Sequence, residues 1–282
     1  MKTWILLTLL YGVFKGFFEC SKKKSAEKSS IFEVLGFFSL YSFLLAACIN
    51  KNVFDISLIP LLIILLKSTV CIIAWIISLN ILKKIEVSLY GVVNVSRVIF
   101  SILLGIVFLG EKITLLTSIG ILIVIVGLVL MNITSKKGTK KENSLKYILL
   151  LLISCFLNSI ASIIDKGIMN YVNPDQLQFW FLFFSAVIYW IIILIRKEKI
   201  NFKNIKKNYW IFLTAVFLVV GDKFLFIANQ VPESKVTIMT VLKQISTIEI
   251  ILLGKLFFKE KNIFKKILCS LIVIIGIILT IL

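Results

Sequence analysis

The sequence predicts an all-α polytopic membrane protein, with ten transmembrane helices arranged as two inverted-topology five-helix repeats. Three observations lead there. First, 60% of the 282 residues are apolar and the mean hydropathy is +1.05, more apolar surface than one soluble core of this length can hide. Second, runs of roughly 17 to 25 apolar residues, each able to cross about 30 Å of hydrocarbon, follow one another from end to end. Third, "LLGIVFLGEKITLLTSIGILIVIVGLVL", ending at Leu130, returns 149 residues later as "LLGKLFFKEKNIFKKILCSLIVIIGIIL".

Charged and turn-forming breaks divide the apolar runs into spans near residues 3–19, 31–49, 57–82, 85–109, 113–133, 146–169, 176–195, 209–230, 235–257 and 263–282. The first run is followed by bulky "ECSKKK" rather than a small-residue cleavage site, and further spans follow, so it reads as a retained helix and not a signal peptide. Pro60, Pro174 and Pro232 each lie near a span end, which leaves the helix interiors free of proline kinks.

The basic residues set an orientation. Connections after odd-numbered spans hold 21 Lys and Arg (4, 2, 5, 6 and 4 in order), against 4 on the other face (Lys2, Lys51, Lys112, Lys235). The positive-inside rule places the odd connections in the cytoplasm and both termini outside the cell (plasma) membrane. The same fringe explains the net charge of +18 through topology and anionic lipid, without nucleic acid.

The repeat is more than shared composition. Aligning 101–130 with 250–279 gives 13 identities in 30, among them Gly105 with Gly254, Glu111 with Glu260, Lys112 with Lys261 and Gly127 with Gly276. The domains are then 1–135 (first five-helix repeat), 136–145 (a basic linker) and 146–282 (second repeat). Five is odd, so the second repeat enters the membrane from the opposite side. Such repeats commonly serve alternating access to a substrate site near the bilayer midplane.

Ten spans in two halves, each closed by a Gly-Glu-Lys-like turn and a span with spaced glycines, resemble the drug/metabolite transporter (DMT) superfamily, and its EamA-type members most. The second half departs from the pattern in carrying Lys259 where the family often has Gly. The resemblance implies secondary transport of a small metabolite. It also implies cytoplasmic termini, the reverse of the charge count.

Ionisable groups inside hydrocarbon face a cavity or a partner. Spans 1, 3, 4, 6, 8 and 9 carry Lys15, Lys67, Arg97, Asp165, Asp222 with Lys223, and Lys243 with Glu249, whereas the interiors of spans 2, 5, 7 and 10 carry no charge. Six helices are expected to line a polar interior and four to support it from outside. Helical spacing gathers polar residues onto faces: Lys67, Cys71, Trp75 and Ser78 on span 3; Tyr90, Asn94, Arg97 and Ser101 on span 4; Ser154, Asn158, Ser162 and Asp165 on span 6; Asp222, Phe226 and Asn229 on span 8; and Lys243, Ser246 and Thr247 on span 9.

The expected substrate-binding set is Lys67, Trp75, Tyr90, Asn94, Arg97, Asn158, Asp222, Lys223 and Lys243. Arg97 leads it, because a guanidinium grips a carboxylate or phosphate bidentately. At the 149-residue offset Asn94 corresponds to Lys243 and Arg97 to Ser246, so the equivalent faces differ in chemistry, as an asymmetric small molecule requires. The plainer reading makes these charges an internal network in which acids neutralise bases. The excess of positive charge favours an anionic or zwitterionic substrate, an amino acid or organic anion, over a quaternary amine.

Five cysteines stand singly in apolar segments and histidine is absent, so no metal site or cofactor is expected. A coupling ion, proton or sodium, is expected without being identified, and monomer and homodimer both stay open. The alternatives are a flippase for a lipid-linked or sugar-phosphate substrate and, further off, a membrane-embedded lipid-modifying enzyme. The enzyme lacks the acidic metal motif or catalytic histidine such chemistry needs. Gly110, Glu111 and Lys112 are expected to be an interfacial turn and not a site, and Gly12-x-x-x-Gly16 and Gly120 with Gly127 to let helices approach closely.

Overall fold

The computed structural model describes residues 2–82, 93, 96–134, 145–198, 200–246, 249, 253, 256 and 263–281. The regular elements it describes are α1 (Thr3–Lys28), α2 (Ile31–Ile49), α3 (Leu58–Leu82), α4 (Ser96–Leu109), α5 (Leu115–Thr134), α6 (Leu145–Ile168), α7 (Pro174–Ile195), α8 (Phe202–Lys207), α9 (Trp210–Gln230), α10 (Val236–Leu242) and α11 (Ile263–Ile281). Among the described residues, six helices are long and apolar enough to cross a membrane: α1, α2, Leu58–Ser78 of α3, α6, α7 and α9. Shorter apolar helical stretches follow in α4, α5 and α11.

These residues form two compact units, each drawing on both sequence halves: Met1–Ile72 with Ile168–Pro232, and Ile73–Gly167 with Glu233–Leu282. In the first, α1 packs along α9, and α2 packs on α7 and α9. Aromatic rings fill the gaps. Phe17 stacks on Phe217 with ring centres 5.2 Å apart, Phe14 meets Phe217 and Phe224, and Phe37 meets Trp190 edge-on at 5.3 Å. Phe43 touches both Phe179 and Phe183.

α1 outruns its predicted span of 3–19, passing through Lys22–Lys24 to Lys28. Leaving hydrocarbon does not unwind a helix, and lysine is a good helix former. Extended backbone at Ser29 and Ser30 stops it, and Ser30 and Glu33 form a capping box on α2. The other Glu33 oxygen accepts from the Asn201 N–H at 2.8 Å, while the Asn208 amide donates to the Ser25 carbonyl at 2.9 Å. The segments leading out of α1 and α7 are thereby tied together.

The second unit has the ring pair Phe100–Phe156 and adds small residues at a close helix contact. A Cβ placed on Gly120 would lie 2.8 Å from the Gly276 carbonyl oxygen, and one on Gly276 would lie 2.6 Å from the Val124 side chain, so α5 and α11 meet backbone to backbone. Serines join the other helices: Ser154 donates to the Ala74 carbonyl at 2.7 Å, Ser159 to the Arg97 carbonyl at 3.1 Å, and Ser101 to Ser159 at 3.1 Å.

Glu111 takes its place as scaffold. Gly110 adopts φ +62°, the left-handed conformation a tight turn needs there. The Glu111 carboxylate then accepts from the backbone N–H groups of Val236 and Thr237, satisfying two of the four donors a helix N-terminus leaves open. Lys235 donates back to the Lys112 carbonyl at 2.8 Å, and Lys166 to Ser234 at 2.7 Å.

One predicted span is interrupted. Residues 235–257 were expected to run as a single helix, but α10 ends at Leu242 and a turn at Lys243–Gln244 precedes further helical residues at 245 and 246. The Gln244 N–H bonds the Val241 carbonyl at 2.9 Å and the Ser246 N–H bonds the Lys243 carbonyl at 3.2 Å, three residues back where an α-helix reaches four. The carbonyl of Thr240, which Gln244 would otherwise engage through its backbone, accepts the Gln244 side-chain amide at 3.1 Å. The break is local because the side chain replaces the missing backbone bond.

Candidate functional site

In the first unit the chemistry centres on Lys67. It lies near the middle of α3 and is 2% exposed. Its ammonium sits 3.3 Å from the ring centre of Phe181 on α7 and 5.1 Å from that of Phe226 on α9. Desolvated cations are held well by ring faces, whose π electrons supply negative potential without an ion. Asp222, buried one helical turn before Phe226, shares its α9 face.

This arrangement departs from the expected division of labour. Span 7, expected as outer support for want of charge, supplies the ring against Lys67. A charge count misses such a contribution, since a phenylalanine at position 181 looks like any other ring in the run "FWFLFF". The signal that would find it is spacing: Gln178, Phe181, Ser185 and Tyr189 fall on one helical face, and all four are buried.

Lys223 adjoins Asp222 in sequence but its side chain leads elsewhere. Its ammonium donates to the Asn50 amide oxygen at 2.6 Å and to the Asp175 carboxylate. Asp175 also accepts from the Lys51 N–H at 3.0 Å. Asn50 donates to Gln178 at 3.2 Å, and Gln178 donates to the Val219 carbonyl at 2.6 Å. Lys223 thus ties the end of α2 and the start of α7 to α9, its long stem carrying the charge out toward the connections.

In the second unit Arg97 is half-buried on α4, its carbonyl held by Ser159. Among the described residues its guanidinium has no acidic partner. Asn158 is buried on α6 and its amide turns back to the Ser154 carbonyl at 2.8 Å. Trp75, half-buried, lies on the part of α3 belonging to this unit. Lys243 is 8% exposed and stands at the turn that interrupts span 9; α10, which leads into that turn, packs on α4, the helix of Arg97. Interrupted transmembrane helices put backbone polar groups and side chains where a solute can be bound. Tyr90 and Asn94 lie outside the described residues.

The architecture just described has relatives. A family model described as "EamA-like transporter family" matches the chain twice, over residues 2–133 and 145–282. The chain belongs to the EamA-like transporter family. It is therefore a multi-pass membrane protein of a transporter family of the drug/metabolite kind, and a small-molecule substrate and a lipid environment follow from that membership. A solved crystal structure of a protein aligns with 99% of this chain and 96% of its own at a TM-score of 0.79, with 11% sequence identity. At that identity the likeness speaks for the fold alone. No curated protein matches the chain.

For an EamA-like protein the residues above divide by task. Glu111, Lys223 and Asp175 have their bonding used up in holding helices. Lys67, Arg97 and Lys243 are cations placed on α3, on α4 and at the turn after α10.

Proposed function

We propose that the chain is a secondary transporter that moves a small polar metabolite, an amino acid or organic anion, across the cell membrane by alternating access through ten spans. The observation that carries this reading is the half-buried Arg97 guanidinium, set among apolar spans with no acidic partner among the described residues. A guanidinium in hydrocarbon is costly to hold, and an anionic substrate would pair with it bidentately. Lys67 and Lys243 add positive charge in their own units. Asp222 adds an acidic group on the α9 face of Phe226, while Trp75, Tyr90, Asn94 and Asn158 add polar and aromatic contacts and Lys223 acts by positioning helices.

Uptake of radiolabelled amino acids and organic acids into proteoliposomes, with imposed proton or sodium gradients, tests this. Arg97→Ala is expected to lower uptake of a verified substrate at least about tenfold, the loss of one charge-assisted pair, with the melting temperature unchanged. Uptake undiminished in both Arg97→Ala and Lys243→Ala would overturn the site. For orientation, a cysteine added at the C-terminus is expected to react with an impermeant reagent from outside the cell; strictly cytoplasmic labelling would reverse the topology.

A further inference from the structure

Two buried hydroxyls on α7 have no task in the packing. Ser185 is 3% exposed and Tyr189 1% exposed, and neither side-chain oxygen has a hydrogen-bond partner among the described residues. Buried serines elsewhere in the same unit turn back onto their own helix: Ser42 bonds the Phe38 carbonyl and Ser68 the Ile64 carbonyl, each at 2.7 Å. Ser185 does not, although that bond needs no neighbour. Polar atoms removed from water are ordinarily satisfied, so two hydroxyls one turn apart with no partner among the described residues are suited to receive a bound solute.

Their placement says which partner. Phe181, Ser185 and Tyr189 are spaced four apart, one above another at steps of about 6 Å. Long helical side chains lean toward the helix N-terminus, so the Tyr189 hydroxyl reaches back over the turn of Ser185, toward Phe181. The Lys67 ammonium sits 3.3 Å from that Phe181 ring. One turn along α3, Cys71 is close enough to Tyr189 to interact with it electrostatically. A lysine and two hydroxyls therefore face the same strip of α7, and all three can donate hydrogen bonds.

We propose that Lys67, Ser185 and Tyr189 form a buried subsite of the first unit that takes the carboxylate of a small organic acid or amino acid, the ammonium supplying charge and the two hydroxyls donating hydrogen bonds. This deepens the transport reading and rests on it. It assigns to span 7, which carries no charge, a direct part in recognition, and it selects a carboxylate over an amine as the group bound at Lys67.

The test uses the purified full-length protein in micelles, with melting followed against L-lactate, succinate, L-alanine and L-glutamate and against their carboxamides. At least one carboxylate is expected to raise the melting temperature while its carboxamide does not. Tyr189→Phe and Ser185→Ala are each expected to weaken that response about tenfold, the effect of losing one hydrogen bond to a charged group. Their ligand-free melting is expected to stay unchanged or rise, because an orphaned hydroxyl has been replaced by an apolar group. Lys67→Met is expected to abolish the response. An undiminished response in both hydroxyl variants overturns the subsite and leaves the transport reading standing. So does a fall in ligand-free melting in both, which would mean that the hydroxyls are bonded within the fold. If no carboxylate stabilises the wild type while proteoliposomes accumulate an uncharged solute, the subsite is again overturned and transport survives. Absence of both signals sinks the two together.

Discussion

The two units solve one problem in different ways. Lipid tails are as apolar as leucine, so helices in a bilayer gain little by hiding apolar surface from their surroundings and depend on close contact and hydrogen bonds. The first unit fills the space between helices with rings, Phe14 and Phe17 on Phe217, Phe37 on Trp190 and Phe43 on Phe179. The second removes side chains so that backbones touch, at Gly120, Gly127 and Gly276, and adds serine-to-carbonyl bonds at Ser154 and Ser159. Ring packing leaves room for a cation, which a ring face welcomes, and Lys67 is found there. Backbone contact leaves no such room, and the atoms nearest Gly120, Gly127 and Gly276 belong to glycine, valine, isoleucine and threonine.

The sharpest way to break this comparison is to put a methyl group where each unit has none. Gly276→Ala sets a Cβ 2.6 Å from the Val124 side chain and 2.8 Å from the Gly120 carbonyl and the Val124 backbone nitrogen. Backbone cannot move aside, and the overpacking is expected to cost about 3 kcal/mol. Gly36→Ala in the first unit meets the tip of the Ile193 side chain at 2.5 Å, a flexible end that can rotate, and is expected to cost about 1 kcal/mol. Thermal melting of both variants in micelles checks the ranking, and equal losses would erase the distinction between the units.

Next in size is Glu111. Alanine there removes the carboxylate that accepts from Val236 and Thr237, at an expected cost of about 2 kcal/mol for two charge-assisted bonds at a helix start. Glutamine keeps an acceptor and is expected to lose about half as much. Uptake per folded molecule is expected to survive in both, since both Glu111 oxygens are engaged by backbone at the start of α10.

The Glu111 result bears on what sequence could disclose. Its echo at Glu260 marked the turn as a repeated structural element, and charges in apolar runs singled out Lys67 and Lys243, both of which are buried. Those features are legible because a charge in an apolar run, or a motif recurring at fixed offset, stands out in one dimension. Partners do not. Asp175 lies 48 residues from Lys223, and nothing in either segment announces that they meet. The interruption of span 9 was equally hidden, because "VLKQIST" has neither glycine nor proline; only the competition of the Gln244 side chain for the Thr240 carbonyl reveals it. Ser185 and Tyr189 were passed over for a third reason. A hydroxyl on a helix is unremarkable until its neighbours are known, and being left without a bond is a property of three dimensions.

A smaller effect is expected at the ring pair. Phe181→Leu keeps an apolar side chain beside Lys67 but removes the closer ring face, at an expected cost of about 1 to 2 kcal/mol for a desolvated cation. Phe226→Leu, whose ring lies farther from the ammonium, is expected to cost less. If the order of the two reversed, the ammonium would rest mainly on α9, and the link between Lys67 and span 7 would fail.

The smallest effect is expected at the Lys223–Asp175 pair, which is where the first unit least resembles its own interior. Both side chains keep about a quarter of their surface in contact with solvent, so screening takes most of the Coulomb energy, and the pair is expected to contribute about 1 kcal/mol or less. Lys223→Met also removes the donor to Asn50, whereas Asp175→Asn keeps one of the two oxygens that Lys223 and the Lys51 N–H each use. Lys223→Met is therefore expected to lower the melting temperature more than Asp175→Asn, and added salt to narrow the gap between wild type and Asp175→Asn. Salt acts on exposed pairs within a Debye length of about 10 Å at 0.1 M and barely reaches a cation buried among rings. Melting of the ring variant Phe181→Leu is accordingly expected to keep its distance from wild type at every salt concentration. A common salt response would mean that Lys67 is as open to solvent as Lys223, and that the first unit has no dry interior for a substrate to enter.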